Sequence, residues 1–277
     1  MTVRDLRRLG ERTLSEAGIL EASVDARYLL EDVLACSYTE LLMRLEEEIS
    51  EDVADRYLAL IARRSERIPL QHLLGKASFM GLTFLVTPDV LIPRADTEVL
   101  VETVLPFCKG KEVLDVCTGS GCIAISLAVL GGCSRVVASD LLEEALVVAR
   151  ENAKRLCAEV SFMQSDLFAE MSGRYDVIVS NPPYIRTEEI ASLAPEVRDH
   201  DPHLALDGGE DGLSIYRRLI GEAPKYLKNH GLIALEIGAD QAFDVQNLMA
   251  EAGFIKIHVK KDLAGLDRVV MGYYEYV

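Results

Sequence analysis

The chain has 277 residues, with 29 lysines and arginines against 45 aspartates and glutamates, a formal charge of −16. At 49% hydrophobic and 27% charged, with 9 prolines and 19 glycines, it has the make-up of a globular protein with a sizeable core, which excludes disordered and collagen-like classes. The acidic balance opposes bulk attraction to DNA or RNA. The opening MTVRDLRRLGERT has no apolar signal core, and the longest apolar run, around Cys122–Leu130, falls short of the roughly 20 residues of a membrane span. A soluble, cytoplasmic protein is expected. The six cysteines form no CxxC pair and are expected to be reduced.

Apolar residues recur at helical spacing in LRRLGERTLSEAGI, SVDARYLLEDVLA and EDVADRYLALIARR, so residues 1–67 read as a separate helical bundle. Ser50, followed by Glu51 and Asp52, is placed to cap a helix with its hydroxyl. Residues 68–92 change character: Pro69, Gly75, Gly81 and Pro88 punctuate β-prone pieces, which predicts a hairpin-like linker. From residue 93 to 277 a third region follows. There KEVLDV, RVVASD, AEVSFMQ, YDVIVS and GLIALEI alternate with helical segments such as GCIAISLAVL, LEEALVVARENAKRL and GLSIYRRLIGEAPKYL. This α/β alternation predicts a doubly wound, mostly parallel sheet, and the closing runs FIKIHVKK and DRVVMGYYEYV predict an antiparallel hairpin at its edge.

Three motifs carry chemistry. In VLDVCTGSG, from Val113 to Gly121, a strand runs into a glycine-rich turn, and Asp140 ends the next strand 19 residues beyond Gly121. A carboxylate there accepts the ribose hydroxyls of an adenosine. GSGCIA also fits the dinucleotide fingerprint of a nicotinamide dehydrogenase. Asp115, four residues before Gly119, and the longer turn favour a cationic cofactor, S-adenosylmethionine, with Asp115 beside its sulfonium and amino group.

The second motif is Asn181-Pro182-Pro183-Tyr184, set directly after the strand YDVIVS, where an open α/β sheet has its ligand crevice. Two prolines stiffen the turn, so that the Asn181 amide and the Pro182 carbonyl are fixed acceptors and Tyr184 offers a π-face to a planar NH2 compound. An amide nitrogen is a weak nucleophile. Catalysis then rests on orienting it and accepting its N–H bonds, with no strong base and the proton leaving to water. The third motif is SDLF at 165–168, where Asp166 accepts from an adenine amino group or caps a turn, and Phe168 packs on the ring.

With LIPRADTE at 91–98, PHLALDGGEDGLSIY at 202–216, LEIG at 235–238 and LDRVVMG at 266–272, these motifs resemble the peptide chain release factor glutamine methyltransferases, the PrmC/HemK family. The resemblance implies a Rossmann-like class I methyltransferase fold behind an N-terminal helical domain. It implies methyl transfer from S-adenosylmethionine, leaving S-adenosylhomocysteine, to the glutamine of the Gly-Gly-Gln loop of class I release factors. By position, Cys117, Thr118, Gly119, Ser120, Gly121, Asp140, Phe168 and Asn181 contact the cofactor, joined by Asp115, Asp166 and Leu167, while Asn181 to Tyr184 hold the glutamine. Two residues depart from the family pattern, which usually has Gly at the position of Cys117 and Pro at that of Ala95. The runner-up is an exocyclic-amine methyltransferase of adenine or guanine in nucleic acid, which poses the same geometric problem but wants a basic surface. A non-catalytic adenosyl-binding module would not need the intact acceptor turn at 181–184.

The expected partners are class I release factors, docked by the bundle, with neither membrane nor nucleic acid, and the expected state is a monomer. No metal is expected: His200 and His203 read as a polar loop, and the Glu46 to Glu48 run as a solvated helix face. Arg94, Asp96 and Glu98 are left without a role.

Overall fold

The computed structural model describes residues 1–276, which divide into two compact units. The first comprises Met1–Lys76 together with a short return of the chain at Ala194–His200. Its helices are α1 (Val3–Glu16), α2 (Ala22–Val33), α3 (Tyr38–Met43), α4 (Glu51–Ser65) and α5 (Leu70–Leu74). Thr2 with Asp5, and Ser37 with Glu40, form reciprocal capping boxes that start α1 and α3. Ser50 sits at the cap position of α4, but its hydroxyl makes no capping bond; the first-turn acids Glu51 and Asp52 are left to meet the helix dipole. The core joins Leu6, Leu14, Leu29, Leu30, Tyr57 and Ile61. Gly10 lets α1 and α4 approach, since a Cβ there would lie 2.0 Å from the Tyr57 hydroxyl. Arg64, buried, binds Asp25 at 2.7 Å and Glu196 at 3.0 Å, and Arg67 takes the other Glu196 oxygen at 2.9 Å. Glu196 therefore fastens the return segment, α9 (Pro195–Arg198), within this unit.

The second unit holds Ala77–Leu193 and the chain from Asp201 onward. The expected linker at 68–92 is divided by the structure: α5 packs in the helical core, whereas Phe79 and Phe84 of the hairpin β1 (Lys76–Phe79) and β2 (Leu82–Leu85) are buried in the sheet domain's core. Large aromatic side chains make this hairpin part of a core rather than a spacer. After α6 (Ala95–Val104), a seven-stranded sheet is built from β3 (Glu112–Val116), β4 (Arg135–Asp140), β5 (Ser161–Gln164), β6 (Tyr175–Ser180), β7 (Leu227–Glu236), β8 (Phe254–Lys261) and β9 (Asp267–Tyr274). Its order is β5-β4-β3-β6-β7-β9-β8, parallel up to β7, with β9 antiparallel to both β7 and β8.

Strand alternation sends Leu114, Ile178, Ile233 and Val270 to one face and Val113, Val177, Val179 and Ala234 to the other. α6 and α7 (Cys122–Leu130) cover the second face, with α8 (Glu143–Arg155) after β4. After the short α10 (His203–Leu206), α11 (Ser214–Glu222) and α12 (Ala242–Glu251) cover the first face. The segment read as one helix through Leu227 ends at Glu222, because Pro224 lies in a 3-10 turn and the chain then enters β7. Strand order reverses between β3 and β6, which sets a crevice at their carboxyl ends. Among the described residues no helix is long and apolar enough to cross a membrane.

Candidate active site

One pocket opens at that switch point, lined from the ends of β3, β4 and β6 and from the start of α6. On the β3 side the backbone does the work. Cys117, Gly119 and Gly121 all take left-handed φ, at 62°, 53° and 80°, and curl the chain between strand and α7. Gly119 has open space where a Cβ would stand and lies on the pocket wall, so a ligand can approach the chain closely. Gly121 instead serves packing, since a Cβ would meet Ile125 at 2.9 Å and Ala149 at 3.1 Å; it is not on the wall. Asp140 fixes the turn by accepting from the Gly119 N–H at 2.8 Å and the Leu142 N–H at 3.0 Å. Burial raises its carboxyl above the usual range, and those backbone donors oppose the rise.

Asp115 does not line the pocket. It is fully buried under the turn and off the pocket wall, accepting from the Thr118 hydroxyl at 2.6 Å and the Ala124 N–H at 3.2 Å. Because Gly121 has no side chain to cap α7, Asp115 satisfies an amide in the helix's first turn from below. Burial pushes its carboxyl up to about 7. Phe168 is likewise misplaced by the sequence: it is fully buried and stacked on Tyr226, with ring centroids 4.7 Å apart and planes 9° apart. Leu167, at φ 52°, is the residue that this turn presents to the pocket, beside Asp166, whose carboxylate pairs with Arg218 at 2.8 Å.

The β6 side is built from side chains. The Ser180 hydroxyl donates to the Val116 carbonyl at 2.5 Å and ties the two strand ends together. Asn181 and Pro183 reach the pocket wall; Pro182 is buried, and Tyr184 is half-buried behind them, its hydroxyl pushed up to about 12 by burial. The Tyr184 backbone is wedged between two glycines, since a Cβ on Gly208 would lie 2.7 Å from its Cα and one on Gly212 2.5 Å from its carbonyl oxygen. That carbonyl accepts from Gln241 at 2.9 Å. The Asn181 amino group donates to the Thr97 hydroxyl at 3.3 Å, which leaves Oδ1 as its acceptor.

The remaining sequence candidates separate cleanly. Cys117, Thr118, Gly119, Ser120, Asp140, Asp166, Leu167, Asn181 and Pro183 come together on the wall, whereas Asp115, Gly121, Phe168, Pro182 and Tyr184 do not. Arg94, on the wall, pairs with the buried Asp201 at 2.5 Å; Asp96 pairs with Arg268 at 3.2 Å; Glu98 accepts from the Met80 N–H at 2.5 Å. Ala95, the first residue of α6, occupies a position where proline is pre-organised but not required. Pro202, Leu204, Ala205 and Asp207 line the pocket, and His203 lies 3.9 Å from Asp207. Thr97 and Glu236, behind Asn181, were not singled out from sequence, although LIPRADTE and LEIG both carry the resemblance.

A parallel sheet with an antiparallel final strand pair, a glycine turn with ligand room at Gly119 and an acid closing the next strand define a Rossmann-like S-adenosylmethionine-dependent methyltransferase. Two family models match: PrmC N-terminal domain over residues 5–75 and Methyltransferase small domain over residues 94–197. The chain is 43% identical over 270 residues to a release factor glutamine methyltransferase of Agrobacterium fabrum, covering 94% of this chain and 93% of that one. It is 45% identical over 284 residues to one of Moorella thermoacetica, covering 99% of each. A methyltransferase from Pyrococcus furiosus shares the fold at TM-score 0.58 and 19% identity, over 79% of this chain and 98% of that one. The chain belongs to the release factor glutamine methyltransferase family.

Proposed function

We propose that this enzyme methylates the side-chain amide nitrogen of the glutamine in the Gly-Gly-Gln loop of class I release factors, with Asn181 as the residue that meets that amide. The observation that carries the reading is the Asn181 amide on the pocket wall, with its amino end engaged by Thr97. S-adenosylmethionine, when bound, supplies an electrophilic methyl group. Asp140 is suited to its ribose hydroxyls, Asp166 to its adenine amino group, and the Cys117–Ser120 backbone to its close approach. The Asn181 oxygen accepts an N–H bond of the glutamine amide, holds its nitrogen in line and stabilises the charge it gains, while Pro182, buried off the wall, stiffens the turn. Tyr184 acts behind them by holding the turn. No strong base is needed, because the nitrogen sheds its proton to water once alkylated.

Asn181→Ala should lower turnover on the order of 100-fold while affinity for S-adenosylmethionine stays within about threefold. Near-wild-type turnover in a labelled methyl-transfer assay with purified unmethylated release factor would contradict the reading. The helical unit carries no chemistry of its own and is assigned to docking the release factor away from the loop. Hydrogen exchange on the intact enzyme should then show protection within 1–67 when release factor binds; protection confined to the sheet domain would sink that assignment. The enzyme is proposed to act as a monomer without nucleic acid.

A further inference from the structure

The half of the acceptor turn that faces away from the pocket is built around a buried acid. Glu236, the last residue of β7, is 2% exposed and sits behind Asn181 and Thr97. One of its oxygens, Oε2, is buried without a hydrogen-bond partner among the described residues. An isolated buried carboxylate is costly, and a fold that keeps one has a use for it or a strong local compensation. Here the compensation is directional. An ionised carboxylate only accepts hydrogen bonds, so a neighbouring primary amide has to turn its amino group toward it.

We propose that Glu236 and Thr97 are positioning residues that hold the amino end of the Asn181 amide, so that its oxygen is the face offered to the substrate nitrogen. This deepens, and rests on, the reading that Asn181 meets the glutamine amide. Without the acid the two ends of the asparagine amide are nearly isosteric. A flipped amide would then present N–H donors to a substrate that is itself an N–H donor, which is the wrong polarity for methyl transfer.

The other groups facing Glu236 fix its protonation. Burial pushes the carboxyl up to about 7; Thr97, Arg268 and Asn181 oppose that rise, and Asp96 adds to it. Tyr184, Tyr216 and Cys122 also feel its charge, and the Tyr216 hydroxyl donates to the Glu236 backbone carbonyl at 2.6 Å. Once protonated, Glu236 gains a donor and no longer dictates the orientation of Asn181. Turnover should therefore fall as the pH drops through neutrality.

The test is the pH profile of kcat on unmethylated release factor, with S-adenosylmethionine affinity and thermal unfolding measured on the same preparations. Glu236→Gln should lower kcat about tenfold, leave KM and cofactor affinity within about twofold, and abolish the acidic limb near neutral pH that the wild type shows. Thr97→Val should behave similarly, and Thr97→Ser should restore kcat to within about threefold. An unchanged kcat in Glu236→Gln, an acidic limb that persists in it, or equal activity of Thr97→Val and Thr97→Ser would overturn the proposal. If Glu236→Gln fails to fold, the Thr97 pair decides. Asn181→Ala separates the two levels: full activity there removes the underlying reading, whereas a large loss there with an indifferent Glu236→Gln removes only this inference.

Discussion

On the β3–β4 side of the pocket, Asp140 grips Gly119 and Leu142 through their backbone N–H groups, and the wall is a run of main chain bent by three left-handed residues. On the β6 side, Asn181 is held by Thr97 from α6 with Glu236 from β7 behind it, and Tyr184 is fixed by Gly208, Gly212 and Gln241. The first wall is local and suits a ligand that every member of the fold class binds. The second is assembled from segments far apart in the chain and suits one particular acceptor. Binding and turnover should accordingly be separable by mutation, one wall at a time.

The largest effect expected on the first side is one of stability. Phe168→Ala should cost about 3–5 kcal/mol by opening a cavity beneath Tyr226, yet the folded protein should bind S-adenosylmethionine with unchanged affinity, because the ring faces the core. Chemical denaturation with calorimetry on the milder Phe168→Leu checks this, and a tenfold loss of affinity there would return the ring to the cofactor. Asp140→Asn comes next. Loss of a charged acceptor should weaken cofactor binding on the order of tenfold to 100-fold, with kcat at saturation nearly unchanged. That is the reverse of the pattern expected for Asn181→Ala, and equal losses in kcat for both would erase the distinction between the walls.

A smaller effect concerns pH. Burial raises Asp115 from an ordinary carboxyl value to about 7 in the folded state, so the folded protein holds a proton that the unfolded chain releases in the interval between. Its contribution to stability is full below the unfolded value and is lost as the pH rises through about 7. Glu236 has the same sign. Stability of the unliganded enzyme should thus fall from mildly acid to mildly alkaline solution, and Asp115→Asn should flatten that slope in urea titrations. A slope that steepens in the variant would mean that Asp115 is ionised when folded.

What could be read from the sequence follows the same division. The glycine turn, Asp140 and Asn181 are legible because each sits at a strand end within a short motif, and the alternation of strands and helices carries the sheet. Thr97, Glu236 and Arg268 are not legible as a group, since their convergence depends on β7 and β9 pairing beside α6. Phe168 is misread because an aromatic residue after a strand looks the same whether it faces the pocket or the core; Tyr226, 58 positions away, decides it. Asp115 fails for a related reason: the acid is visible, but the helix amide it serves is not. The 68–92 segment reads as a linker from its glycines and prolines, while Phe79 and Phe84 bind it into the sheet domain.

The most direct measurement offers the enzyme labelled S-adenosylmethionine with purified unmethylated release factor and, separately, with DNA and ribosomal RNA, and maps the product by mass. One methyl group on the glutamine of the Gly-Gly-Gln loop, with nucleic acid unlabelled, is the predicted result. Label in nucleic acid alone would leave the fold and the cofactor wall standing but contradict the substrate assigned to the Asn181 wall.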